Sequence, residues 1–122
     1  SRKICVLGGT GGGRDSWKRP AMGAIAGAHC DEIILTNEDP YDENPEKIVS
    51  EIMAGIPGGQ AEIIMDRRLA IASALKKAET GDAVIITGKG TDPYIMGPNE
   101  TKIEWDDATV AREELQKLGF KK

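Results

Sequence analysis

The sequence predicts an α/β domain, a mostly parallel sheet with helices on both faces. Two observations predict it. Four short segments, 3–7, 32–36, 61–65 and 83–87, are largely apolar without alternation, as strands buried on both faces are. Helical patterns separate them at βαβ spacing, which makes the sheet Rossmann-like. A length of 122 residues suits one domain over 1–122 and is too short for two ordinary ones.

Each element has a local reason. Lys3 to Leu7 ends in Gly8-Gly9 and reads as the first strand. Pro20, Met22, Ile25 and Ala26 recur at helical spacing, predicting a helix over about residues 17–28. Glu32 to Thr36 is the second strand, stopped by Asn37, Asp39 and Pro40. Asn44-Pro45 is an N-cap followed by proline at the first helical position, and Ile48, Val49, Ile52, Met53 and Ile56 form the apolar face behind it. Pro57-Gly58-Gly59 closes that helix, and Ala61 to Met65 reads as a third strand. Asp66 caps a third helix with Leu69, Ala72, Leu75 and Ala78 expected along its buried side, and Gly81-Asp82 breaks it. Ala83 to Thr87 is a fourth buried strand. Tyr94 to Trp105, with a turn at Pro98-Asn99, reads as a small hairpin or an antiparallel edge strand. Asp106 caps a last helix carrying Ala111, Leu115 and Leu118, which Gly119 ends.

Composition narrows the function. Charged residues make up 30% and the net charge is −4, so the basic footprint of a nucleic-acid or anionic-membrane binder is missing. No apolar run approaches the roughly 18 residues of a membrane span. Cys5 and Cys30 lie in apolar stretches without metal-type spacing and read by default as two buried thiols in a reducing, cytoplasmic setting, with a disulfide as the alternative that the sequence does not indicate. His29 is the one histidine, which argues against a histidine metal site or a Ser-His-Asp triad within the chain. His29, Trp17 and Trp105 read as packing residues, and Arg67-Arg68 as a surface pair set against the helix dipole. A chain that begins Ser1-Arg2-Lys3 and enters a strand at once reads as a domain of a longer protein.

Glycine is abundant, 15 of 122, and clustered, and three unusual loops follow strands. In a parallel sheet their shared edge is where ligands bind. The first runs Gly8-Gly9-Thr10-Gly11-Gly12-Gly13-Arg14-Asp15. It suggests a phosphate cradle or a flexible turn, but no Lys-Ser/Thr follows and Arg14 stands where a dinucleotide fingerprint has its third glycine. Arg14, with Lys18-Arg19 nearby, suits a carboxylate or phosphate. The second loop carries Glu38, Asp39, Asp42 and Glu43, which read as a solvated acidic turn or as a site for a cationic group such as the amine of an amino acid or a metal ion. The third, Thr87-Gly88-Lys89-Gly90-Thr91-Asp92, offers backbone and a lysine to a ligand. Convergence of all three at one edge points to an amino acid.

In this order the loops resemble the C-terminal domain of the Mur ligases, nearest to the enzyme that adds the third-position amino acid. The resemblance covers nearly the whole chain. The family's Gly-x-Gly-Gly-Asp-Arg-Asp with Lys-Arg-Pro is similar to Gly9 through Asp15 with Lys18-Arg19-Pro20; its Asp-Asn-Pro-Arg falls on Glu38-Asp39-Pro40-Tyr41, and its Gly-Lys-Gly-His-Glu on Gly88 to Asp92. Ile103 to Asp107 with Val110-Ala111-Arg112 looks like the closing helix. The resemblance implies the amino-acid-binding, nucleotide-closing part of an ATP- and magnesium-dependent ligase that extends a UDP-N-acetylmuramoyl-peptide in cell-wall synthesis. It implies that Arg14 binds the amino acid's carboxylate, that Gly88 offers a carbonyl and that Asp92 takes an amine. Glu38, Asp39 and Tyr41 fall on the recognition motif, and Lys18 and Arg19 near phosphates or a neighbouring domain. Tyr41 in place of arginine and Asp39 in place of asparagine lead to an expectation of lysine, or another diamino acid, over meso-diaminopimelate. The phosphate loop, the magnesium ligands and the uridine-nucleotide region belong to the family's other domains, so the fragment alone is expected to be inactive, without a tightly held cofactor or metal. The alternative is a non-catalytic small-molecule binding module of the same fold.

Overall fold

Parallel pairing sets the architecture in the computed structural model of the protein, which describes residues 2–9, 11, 16–87 and 94–119. Strand β1 (Lys3–Leu7) lies between β2 (Glu32–Leu35) and β4 (Ala83–Ile86), and β3 (Glu62–Ile63) extends the sheet beside β2. All three pairings are parallel, with Val6 opposite Ile34 on one side and Ile86 on the other. Because side chains alternate along a strand, the central strands feed two cores. Cys5, Leu7, Ile33 and Leu35 pack with Ala26 of α1 (Arg19–His29) and with Ile48, Val49 and Ile52 of α2 (Pro45–Met53). Ile4, Val6 and Ile34 pack on the other face with Ala70, Ile71 and Ala74 of α3 (Arg67–Lys77) and Val110 of α4 (Asp107–Lys117). The antiparallel pair β5 (Tyr94–Met96) and β6 (Lys102–Glu104) is a separate hairpin and not an edge of the main sheet.

The expected caps are in place. Asn44 accepts from the backbone N–H groups of Glu46 and Lys47, Asp66 from that of Leu69, and Asp106 from that of Thr109. Gly119 follows α4 at φ 93°, the left-handed conformation expected of a helix-ending glycine.

Several expectations need correction. Cys5 and Cys30 are joined in a disulfide, not held as two thiols. Their Cα atoms lie 6.1 Å apart because the end of α1 returns over β1, inside the usual range for such a bridge. The third strand is two exposed residues and not five, and β4 is only half covered, with Ile85 exposed on the α1–α2 side. Helix α1 starts at Arg19, after a single 3-10 turn over Ser16–Lys18. Helix α3 buries Arg67, Ala70, Ile71 and Ala74, while Leu69 is exposed. A spacing of three drifts around a helix of 3.6 residues per turn, so the row from Leu69 to Ala78 cannot stay on one face. Trp17 and His29 do not pack, and Trp17 is 74% exposed.

One polar clamp fixes the start of the sheet and gives the fold an acid-sensitive point. Asp82, just before β4, accepts from the backbone N–H of Arg2 at 2.9 Å, from that of Glu79 at 2.9 Å and from the Arg2 guanidinium at 3.1 Å. These bonds, the Arg2 backbone first, lower its pKa from the ordinary 3.8 to about 2. A depressed carboxylate pKa contributes stability that is complete above the unfolded value and is lost as pH falls through the folded one. Urea midpoints should therefore drop as pH falls from 3.8 to about 2. Asp82→Asn should start lower at neutral pH and fall less steeply across that window. Parallel pH profiles for the two proteins would contradict this account.

Candidate functional site

Three strand ends meet at the carboxyl edge of the sheet. Thr36 follows β2 and donates its backbone N–H to Leu7 O at 3.0 Å, and Thr87 follows β4 and donates to Val6 O at 3.0 Å. The loops after β1, β2 and β4 therefore leave from one line, as the pattern of parallel strands requires.

The second loop is packed over residues 38–40, while Asp42 and Asn44 stay exposed. Glu38, Asp39 and Pro40 are buried between the glycine loop and the hairpin. Gly11 donates its N–H to Asp39 O at 2.6 Å, Met96 of β5 donates to Asp39 Oδ1 at 2.8 Å, and Tyr41 donates to Met96 O at 3.2 Å. Asn99, in the hairpin turn, donates to Asp42 Oδ1 at 2.7 Å. Tyr41 sits at φ 54°, a conformation that bulky residues rarely adopt and that gathers at ligand sites. It borders a groove of about 550 Å³ shared with Asp42, Asn44, Ile95, Thr101 and Ile103. Apolar walls, hydroxyl groups and acids suit a small molecule with an aliphatic middle and polar ends.

Arg19 shares the inner face of α1 with Gly23 and Ala26 and is 2% exposed. Its Nη1 donates to Glu43 and Glu51, each at 2.7 Å, and its Nη2 to Glu43 at 3.0 Å. The bonds to Glu43, ahead of those to Glu51, raise its pKa above the ordinary guanidinium value. Arg19 thus ties α1 and α2 to the acidic loop. Lys18 is exposed, with its ammonium 5.3 Å from the Trp17 ring. Of the residues expected to form the site, Arg14, Gly88 and Asp92 lie outside the described residues.

Sequence reasoning missed Arg67. It is not a surface residue but 3% exposed, and it stands in phase with Ala70, Ile71 and Ala74. Its Nε and Nη2 donate to the two carboxylate oxygens of Asp107 at 2.9 and 2.8 Å. Its Nη1 donates to Asn37 O at 3.0 Å and its Nη2 to Thr87 O at 2.9 Å. Trp105 Nε1 donates to Asp107 Oδ1 at 2.6 Å, which gives that tryptophan its place. The helical phase of Arg67 with three small or apolar residues was the available signal.

Among the described residues no three His, Cys, Asp or Glu side chains come together as a metal site. No described helix is long and apolar enough to cross a membrane.

Known proteins are similar to this chain in sequence and fold. Residues 1–90 match the family described as Mur ligase, glutamate ligase domain. A UDP-N-acetylmuramoyl-L-alanyl-D-glutamate–2,6-diaminopimelate ligase of Gloeobacter violaceus is 49% identical over 95% of this chain and 24% of its own length. The protein of the same name from Thermosynechococcus vestitus is 47% identical over 93% of this chain and 22% of its own. A solved structure with that name superposes with a TM-score of 0.88 at 32% identity, over 99% of this chain and 25% of that one. The chain thus spans about a quarter of the length of these relatives. Their names run against the expected preference for lysine. The Asp39 part of that expectation fails on position: its carboxylate is buried, accepts from the Met96 N–H and does not line the groove.

Proposed function

We propose a function from the premise that this chain belongs to the Mur ligase family, as its glutamate ligase domain: it holds the incoming amino acid of a cytoplasmic, ATP-dependent ligase that extends UDP-N-acetylmuramoyl-L-alanyl-D-glutamate, and that amino acid is 2,6-diaminopimelate. The observation that carries the reading is the packing of Glu38–Tyr41 between Gly11 and Met96, which builds a groove at the edge where the three loops leave the sheet. The identity of the amino acid rests on relatives 49% and 47% identical over nearly the whole chain.

In this reading the domain contributes proximity and orientation, presenting an amine to a carboxylate activated elsewhere in the ligase. Arg14 binds the α-carboxylate, Gly88 offers its carbonyl, Asp92 takes an amine and Tyr41 borders the distal end. Lys18 lies toward the nucleotide or the neighbouring domain, while Arg19 serves by holding Glu43 beneath the loop.

The test is an amide-formation assay of the full-length ligase carrying this chain, with ATP, magnesium and the UDP-linked dipeptide. Turnover is expected with diaminopimelate, and none from residues 1–122 alone. Faster turnover with lysine would overturn the assignment of diaminopimelate and leave the ligase standing. No turnover with any diamino acid would leave the non-catalytic binding module in its place.

A further inference from the structure

We propose that Arg67 is a positioning residue for the amino-acid site, setting where the loop of Glu38–Tyr41 begins without touching the ligand. This rests on the reading above that the loop belongs to that site. An arginine at the start of a helix opposes the dipole and gains nothing from it, so another interaction must hold it there. The guanidinium supplies that interaction as a planar fork. One side is locked by both oxygens of Asp107, from α4. The other reaches the carbonyls of Asn37 and Thr87, the residues just past β2 and β4. Asn37 is the residue immediately before Glu38. Asp107 is itself held by Trp105 Nε1, so the bracket extends from the end of the hairpin through α4 to two strand ends. A lysine keeps the charge but cannot bind both carboxylate oxygens and two separate carbonyls at once.

The experiment compares Arg67→Lys with the wild type in the full-length ligase, below the unfolding temperature of both. The KM for the amino acid should rise at least about tenfold while the KM for ATP stays within about twofold. Arg68→Ala is the control, because among the described residues the neighbouring arginine binds Glu113 and Glu114 of α4 and neither strand end, and both constants should hold. If Arg67→Lys does not fold, Asp107→Asn replaces it. That variant keeps the two carbonyl bonds, loosens the fork and should raise the same KM by a smaller factor. An unchanged amino-acid KM in a folded variant, or a parallel rise in both constants, would overturn the proposal. Wild-type turnover is measured first: its absence sinks the ligase reading and this inference with it, whereas turnover with an indifferent Arg67→Lys sinks this inference alone.

Discussion

Replacing Arg67 by methionine is expected to lower the unfolding free energy by about 3–5 kcal/mol, measured by urea denaturation of the 122-residue chain. The size comes from what stays behind. The Asp107 side chain is 9% exposed and would lose the guanidinium that pairs with both of its oxygens. The part-buried carbonyls of Asn37 and Thr87 would lose a donor as well, a smaller contribution because water can replace it. The adjacent Arg68 makes the comparison sharp. Its bond to Glu113 is as short, 2.8 Å, but joins side chains 39% and 49% exposed, and such a pair contributes about 0–1 kcal/mol. Combining Arg67→Met with Asp107→Leu should recover much of the loss, because the stranded carboxylate goes as well. A loss below about 1 kcal/mol for Arg67→Met would mean that the ion pair is solvated and not the bracket described here.

The same pair of arginines shows what the sequence could reveal and what it could not. Caps and turns are local, so Asn44, Asp66, Asp106 and Gly119 were legible from their own neighbours. The parallel sheet was legible because strands covered on both faces carry apolar residues at every position. How far each strand is covered was not. The partial exposure of β4 depends on α1 and α2 covering β1 and β2 and stopping short of Ile85. Arg67 was misread because its partners lie 20 to 40 residues away, at Thr87, Asn37 and Asp107. Nothing at position 67 announces them except its helical phase. The disulfide was hidden in the same way, since Cys5 and Cys30 are 25 residues apart and meet only through the return of α1. The acidic loop was half legible. Its residues were picked out by composition, but burial of Glu38 and Asp39 follows from the hairpin docking on them, a tertiary event.

Gly11→Ala is the substitution that should couple stability to the site. The sequence offered its glycine loop as a phosphate cradle or a flexible turn, and the structure shows a third use for this glycine. An added Cβ would be driven into the backbone of Pro40, its carbonyl oxygen first. Gly11 also donates its N–H to Asp39 O, so the two loops touch along bare backbone. The second loop cannot retreat, because Met96 holds Asp39 Oδ1 and accepts from Tyr41 on the far side. Overpacking of this kind costs about 1–3 kcal/mol, and the strain should appear where the loop is anchored. In NMR spectra the amides of Asp39, Tyr41 and Met96 should shift together in Gly11→Ala. Gly81→Ala is the matched control, at φ 92° with no atom within 4 Å of the new Cβ. It should cost about 1–2 kcal/mol through the backbone alone and leave those three amides in place. A neutral Gly11→Ala with an unmoved Met96 amide would show that the glycine loop does not press on Pro40, and the groove beside Tyr41 would then need a different wall.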